Sequence, residues 1–422
     1  MKRDNKPEVM STGIAFDIGT TTLAAASVDT ASGAVTDTLS AANPQAAWGA
    51  DVLARIKAAS EGPEGTLEKL SESIKAACNG LLLSLARGRK IREITVAGNS
   101  VMEHIFLKVS PASMARAPYR PVFREARVLK AEEAGLEAPG AGLYLFPIIG
   151  AFVGGDAVAA ALYLGLREKT KNTLTIDLGT NSEIMLKAGE KLYVTSAAAG
   201  PAFEAGGLEC GMTAGPGAIR GVAISGESLT LDVISAKTPK GICGSGLIEA
   251  AAALINAGII EPSGRIKGAE EIHTNLANFI KEEAGGNRFI LYRGASAEIS
   301  LTQADIRGLQ VAKSAIRAGI SFLLKKAGLK PRDLDRVYIA GAFGASLEPN
   351  GLAAIGLIDP KWAGNIEFVG DAALKGAAMA FSKEKKSEAS FIAANSTYLP
   401  LSGSRFFEKE FIREMDFAPL PL

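Results

Sequence analysis

Short apolar runs, broken by glycines and polar clusters, repeat along this chain in a fixed order. The run Ile14-Ala-Phe-Asp-Ile-Gly-Thr-Thr-Thr22 returns as Leu174-Thr-Ile-Asp-Leu-Gly-Thr-Asn-Ser182. In each copy a second short apolar segment follows (23–28, 184–186), and then a third (34–39, 192–195). This spacing predicts an antiparallel three-stranded meander with a glycine turn between its first two strands. A helical stretch comes next (64–87 and 304–328). It precedes a buried strand ending at Ala-Gly, Ile94-Thr-Val-Ala-Gly-Asn99 in one half and Val337-Tyr-Ile-Ala-Gly-Ala342 in the other. Gly155-Asp156 and Gly370-Asp371 then each open a further helix. Each half therefore predicts β-β-β-α-β-α-β-α, and three matches in one order identify an internal duplication.

The expected fold class is α/β, with two related lobes. Residues 1–12 form a lead, 13–168 the first lobe and 169–383 the second; the polar stretch Arg167-Glu-Lys-Thr-Lys-Asn172 separates the lobes. The second lobe carries an insertion at about 196–303, with a glycine-rich loop, a helix near 245–257 and a polar stretch at 262–298. Residues 384–422 form an appendage that packs on the body through Phe391, Phe406, Phe407, Phe411 and Phe417.

Composition narrows the function classes. A net charge of +1 leaves no electrostatic footprint for nucleic acid. No apolar run reaches the roughly 18–20 residues of a membrane helix, and Met1 to Met10 lacks the apolar core of a signal peptide. A cytoplasmic protein is expected. Three cysteines (Cys78, Cys210, Cys243) and two histidines (His104, His273) are scattered, so no zinc site or iron–sulfur cluster is expected from this chain alone.

The repeated loops suit phosphate and magnesium. Glycine lets the backbone approach an anion, and its N–H groups can face phosphate oxygens. Threonine hydroxyls donate further bonds, and the Asp carboxylate can hold magnesium through water. The third element, Ile339-Ala-Gly-Ala-Phe-Gly344, is a strand running into Gly-x-x-Gly, on which a flat ligand can lie.

These three elements, in this order, resemble the sugar kinase, heat-shock ATPase and actin superfamily. The resemblance covers about residues 13–380 and implies two ribonuclease H-like (actin-like ATPase) lobes with ATP and magnesium between them. It makes Asp17, Gly19, Thr20 and Thr21 the first phosphate loop and Asp177, Gly179, Thr180 and Asn181 the second, with Asp17 and Asp177 the magnesium carboxylates. Gly341 and Gly344 become the adenosine loop, and Asp156 and Asp371 open the interlobe helices.

A closer resemblance rests on Asn43-Pro-Gln45 with Gly49-Ala-Asp51 and Arg55, on Ala97-Gly-Asn-Ser-Val-Met-Glu-His104, and on Gly200-Pro-Ala-Phe-Glu204. It continues through Glu209-Cys-Gly-Met212, Pro216-Gly-Ala-Ile219, Gly241-Ile-Cys-Gly-Ser-Gly246 and Tyr398-Leu-Pro-Leu-Ser402. Together these look like the ATP-binding region of the reductive activators of corrinoid-dependent methyltransferases. Gly244 and Ser245 join the implied nucleotide-binding set. The family's activity implies ATP-driven return of cob(II)alamin to cob(I)alamin on a corrinoid protein partner. Typical members carry a ferredoxin domain or ferredoxin-like cysteines. None is visible here, so no iron–sulfur cluster and a separate electron donor are expected; the resemblance is compatible with a homodimer.

Several residues keep more than one reading. Asp156 is a second acidic catalytic group or a helix N-cap. Glu183 orients the attacking water or, by strand alternation, faces away from it. His104 touches the partner, orients a loop, or is a satisfied core histidine. Cys210 and Cys243 form a redox or cluster-sharing pair, or two small thiols in tight loops. The competing functions are a small-molecule kinase, with Asp156 accepting the hydroxyl proton, and a filament-forming actin relative.

Overall fold

The computed structural model describes residues 12–295, 297–341 and 347–417. The chain opens with the expected meander, β1 (Thr12–Ile18), β2 (Thr22–Asp29) and β3 (Ala34–Ala42). Helices α1 (Val52–Glu61) and α2 (Thr66–Ala86) lead to β4 (Ile91–Gly98), α3 (Ser100–Phe106), β5 (Arg127–Lys130), β6 (Gly142–Leu145) and α4 (Gly155–Tyr163). The second meander is β7 (Thr173–Asp177), β8 (Asn181–Ala188) and β9 (Lys191–Ala198). It is followed by β10 (Ala218–Ser225), β11 (Ser228–Val233), β12 (Gly241–Ile242), α5 (Gly244–Asn256), β13 (Ile280–Lys281), β14 (Arg288–Arg293), β15 (Glu298–Thr302) and α6 (Gln303–Ala327). The chain continues through β16 (Arg336–Ala340), α7 (Pro349–Ala354), β17 (Ile366–Gly370), α8 (Ala372–Met379), α9 (Lys383–Asn395) and α10 (Arg405–Arg413).

Two compact units result. One contains the chain up to Lys169 together with Ala372–Tyr398; the other contains Thr170–Asp371 and the chain from Leu399 onward. In the first unit the strand order is β3-β2-β1-β4-β6-β5. Strands β1, β4 and β6 run parallel, and β2, β3 and β5 are added antiparallel. Six of the seven residues of β1 are buried, as expected of a central strand covered on both faces. Its Ile14, Phe16 and Ile18 join a core completed by Leu70, Ile74 and Leu82 of α2.

Residues 372–398 pack with this unit rather than with the second lobe and appendage to which the sequence assigned them. The cause is a close helix contact. A Cβ on Gly376 of α8 would lie 1.8 Å from the Ala159 carbonyl oxygen of α4. The Thr95 hydroxyl on β4 donates to the Ala377 carbonyl at 2.8 Å. Glycine and alanine faces let the two helices approach backbone to backbone, a contact that a hydrophobicity pattern does not record.

The second unit repeats the plan. Within Thr170–Asp371 the strands of its main sheet follow the order β17-β16-β7-β8-β9, with β7, β16 and β17 parallel and β8 and β9 antiparallel. Helix α6 packs on β8 and β9. Thr302 and Asp305 close a capping box at its start, and Gly328 (φ 70°) ends it in the left-handed region. The insertion folds as two small sheets, β11-β10-β12 and β13-β14-β15. The polar stretch at 262–298 therefore contains strands, whose apolar centres are only about three residues long.

The appendage divides. Helix α9 packs on α4 in the first unit, where Phe391 stands 46% exposed beneath the Arg167 guanidinium, 4.2 Å from the ring centroid. The segment from Leu399 packs on α6: Phe417 is buried, and Arg317 pairs with Glu414 at 3.2 Å with both side chains almost fully enclosed. Among the described residues no helix is long and apolar enough to cross a membrane.

Candidate functional site

Asp17 is half-buried one residue before the end of β1, and the chain turns through Gly19, Thr20 and Thr21 into β2. The turn is tight. The Gly19 N–H donates to the Thr22 carbonyl at 3.0 Å, and a Cβ on Gly19 would come within 2.8 Å of that oxygen. Buried Asn43 braces it from outside, donating through Nδ2 to the Gly19 carbonyl (2.8 Å) and through its N–H to the Thr21 carbonyl (2.8 Å). The Asn43-Pro-Gln45 and Arg55 motif is thus scaffolding for the loop. Gln45 Nε2 donates to the Leu70 carbonyl, and Arg55 Nε donates to the Gly49 carbonyl. Burial pulls the Arg55 guanidinium down to about 10.

Three glycines bring further acid to this loop. A Cβ on Gly98 would lie 2.8 Å from the Ile18 carbonyl oxygen, one on Gly154 2.2 Å from the Gly98 carbonyl oxygen, and one on Gly155 2.3 Å from Glu103 Oε1. The close approach gathers Asp17, Asp156 in the first turn of α4, and Glu103 of α3. Asp156 Oδ1 accepts from the Ala157 N–H at 2.7 Å. Burial raises the Asp156 carboxyl, and burial with the neighbouring Asp156 and Asp17 charges raises fully enclosed Glu103 well above the usual carboxylate range. Glu103 was not among the predicted site residues; its only signal was its place in the Gly98–His104 motif.

His104 resolves as a core histidine. It is fully buried and stacked on Phe123 at 4.3 Å. Its Nδ1 lies 2.7 Å from the Ser100 carbonyl, and its Nε2 accepts the Val122 N–H at 3.0 Å. An acceptor on one side and a donor on the other fix the neutral tautomer protonated at Nδ1. Burial pulls its pKa down to about 4. Between that value and the roughly 6.5 of an unfolded histidine, only the unfolded chain takes up the proton. Stability contributed by His104 is therefore fully present above pH 6.5 and is lost as pH falls toward 4, about 3 kcal/mol in all. Urea unfolding at pH 7 and pH 5 should show this loss, and His104→Gln should flatten it. Equal pH dependence in both proteins would refute the assignment.

The second loop repeats the first with other braces. Asp177 ends β7 half-buried, and Glu183, 6% exposed, stands directly across from it on β8. Directly opposed residues share a sheet face, so alternation places Glu183 on the side of Asp177 rather than away from it. Glu183 Oε1 accepts from the Ser196 hydroxyl at 3.3 Å. The Gly179 N–H donates to the Ser182 hydroxyl (3.4 Å), and the Gly200 N–H donates to the Thr180 carbonyl (2.9 Å). Asn181 opens β8 beside this turn.

The two glycine-rich loops of the insertion meet. The Ile242 N–H donates to the Cys210 carbonyl, and the Met212 N–H donates to the Ile242 carbonyl. This brings residues 208–212 alongside β12 and the start of α5, where Gly244 and Ser245 are buried. Cys243 is buried, with Sγ 3.3 Å from both the Ile219 carbonyl oxygen and the Ser245 hydroxyl. Among the described residues no group of three or more His, Cys, Asp or Glu side chains is arranged to hold a metal.

Gly341 directly follows β16 with φ 123°, and its N–H donates to the Gly370 carbonyl at 3.0 Å; Gly344 and Phe343 lie outside the described residues. Just beyond, Glu348 and Gly351 face α5 across an open cavity of about 530 Å³ that Ile224, Glu249, Ala253 and Asn256 also line. Burial, with Glu348 nearby, raises the Glu249 carboxyl. Neither glutamate carried a sequence signal, because the cavity joins segments about a hundred residues apart.

Comparison with known proteins places this geometry. Residues 12–169 match the RACo middle region, and residues 171–420 match the C-terminal domain of RACo, the ASKHA domain. The chain is 36% identical over 428 residues to the corrinoid activation enzyme RamQ of Eubacterium limosum, covering 98% of this chain and 72% of that protein. It is 28% identical over 327 residues to the [Co(II) methylated amine-specific corrinoid protein] reductase of Methanosarcina barkeri, covering 72% of this chain and 54% of that protein. The solved structure of a reductive activator for corrinoid, iron–sulfur protein superposes with a TM-score of 0.90 at 37% identity, over 97% of this chain and 67% of that one. With both units matched in order, the chain belongs to the RACo family of reductive activators, as its middle region followed by its actin-like ASKHA domain.

Proposed function

We propose that this chain binds and hydrolyses ATP with magnesium through its Asp-hydrophobic-Gly-Thr loops. The nucleotide is coupled to reductive reactivation of a corrinoid protein, cob(II)alamin to cob(I)alamin, with the electron taken from a separate donor. The observation that carries this reading is the duplicated loop. Asp17 and Asp177 lie at the ends of equivalent strands, within one residue of the last, each leading into a Gly-Thr turn, and the chain is related over nearly its whole length to a corrinoid activation enzyme.

The loops suit a polyphosphate. Gly19 and Gly179 keep the turns tight, their own N–H groups bonded to the Thr22 carbonyl and the Ser182 hydroxyl, while Thr20, Thr21, Thr180 and Asn181 offer donors. The buried N-terminus of α5 at Gly244-Ser245 favours anions. Magnesium keeps several waters and takes one or two protein carboxylates with phosphate oxygens; each loop supplies one half-buried carboxylate of that kind, Asp17 in the first and Asp177 in the second, and the ion would neutralise charge on the transferring phosphate. In the first unit Asp156, with its raised pKa, is the acceptor for the proton of an attacking water; in the second, Glu183 opposite Asp177 is the residue suited to orient a water at its own loop. The cavity at Glu249 and Glu348 is of a size to take the nucleoside.

Coupling follows from differential affinity: nucleotide can shift the partner only as far as it changes binding of the oxidised and reduced forms. The same reading places the chain in the cytoplasm, without nucleic-acid or membrane partners and compatible with a homodimer. Neither relative carries a kinase name. MgATP at a hundredfold excess over Kd should stabilise the fold by about 2.7 kcal/mol, and a corrinoid protein, rather than a small metabolite, should stimulate hydrolysis. A silent calorimetric titration together with an unmoved Tm would sink the nucleotide assignment.

A further inference from the structure

The second phosphate loop already has an anion on it. Glu204 closes the short turn Pro201–Glu204, and its two carboxylate oxygens accept both side-facing donors of Thr180. The backbone N–H reaches Oε1 at 3.2 Å, and the hydroxyl reaches Oε2 at 2.8 Å. An N–H and a hydroxyl each carry a single proton. A phosphate oxygen and the Glu204 carboxylate therefore cannot both take these two bonds at full strength, and two adjacent anions also repel.

The backbone of this turn is fixed. Phe203 is fully buried in the core, and Gly200 is tied to the Thr180 carbonyl at 2.9 Å. Exchange between carboxylate and phosphate can therefore proceed by rotation of the Glu204 side chain over a fixed backbone. A carboxylate that accepts from a backbone N–H and a hydroxyl in the manner of a phosphate group is a built-in competitor for the loop.

We propose that Glu204 sets the nucleotide affinity of this loop by competing with a phosphate group for the Thr180 donors. The idea rests on the ATP-binding reading and adds a residue to it. Glu204 is a positioning residue, acting on phosphate through Thr180.

The test is calorimetry on the full chain with MgATP, MgADP and adenosine. Glu204→Gln keeps the shape and removes the charge. It should bind ATP and ADP roughly tenfold more tightly and adenosine unchanged, since adenosine has no phosphate to compete. Glu204→Asp, which draws the carboxylate back by one methylene, should lie between wild type and the Gln variant, and near-UV circular dichroism checks both folds. If the Gln variant binds ATP no more tightly than wild type, or if adenosine tightens equally, Glu204 merely shapes the loop and the proposal fails. Should the Gln variant not fold, weaker ATP binding by the Asp variant overturns it. Wild-type protein that binds neither ATP nor ADP removes the premise, and with it the nucleotide reading itself.

Discussion

Mixed anaerobically with a cob(II)alamin-loaded corrinoid protein, a low-potential electron donor and MgATP, this chain should generate cob(I)alamin, and without ATP it should not. The physical reason is a linked equilibrium. Returning one electron to cob(II)alamin is uphill for ordinary donors, and binding can help only if the nucleotide-bound protein holds the reduced form of its partner more tightly than the oxidised form. Couplings between sites are typically 1–3 kcal/mol, a factor of 5–150. At 59 mV per tenfold for one electron, that moves the cobalt potential by roughly 40–130 mV. This is enough to turn a donor that fails into one that succeeds, and too little to dispense with a low-potential donor. Absorbance of the cobalt centre reads the outcome. Equal cob(I)alamin with and without ATP would leave the fold assignment standing and remove the functional one.

Asp17→Ala and Asp177→Ala should each cut ATP hydrolysis by at least a hundredfold, the scale on which single electrostatic contributors to a transition state act. Both residues are half-buried at strand ends, and neither belongs to the apolar cores of its unit. Thermal unfolding of the variants should therefore stay within a few degrees of wild type. The Asn variants, which keep the shape and lose the charge, should fail equally if the carboxylate serves magnesium. Turnover near wild type in either Ala variant would show that the repeated Asp only caps a turn. The two residues are worth testing separately, because Asp177 faces Glu183 across its strand pair whereas Asp17 faces Ala24.

Much of the fold was legible because the duplicated signals are local. Asp17-Ile-Gly-Thr and Asp177-Leu-Gly-Thr fix a strand, a turn and a strand within nine residues, and the meanders follow in register. Helices expected at 64–87, near 245–257 and at 304–328 are Thr66–Ala86, Gly244–Asn256 and Gln303–Ala327; cap residues and long periodic stretches announce such elements. The strands of the insertion were hidden because their few apolar residues sit among charged flanks. The Arg288 of β14, for instance, is held by Glu209 and Glu283.

The sequence by itself determined the two-fold repeat and the three-stranded meander that opens each half, because those depend on apolar period and on glycine next to Asp and Thr. Tertiary structure alone decided who meets the Gly-Thr loops. Glu103 joins Asp17 and Asp156 only because Gly98, Gly154 and Gly155 let β4 and α4 close on β1. His104 becomes a core residue only when Val122 and Phe123 fold over it. Residues 372–398 belong with the first unit because Gly376 meets Ala159. Glu204 reaches Thr180 across 24 residues. In each case the deciding term is a contact between segments far apart in the chain, and a local pattern of apolar and polar residues carries no record of which distant backbone a glycine will admit.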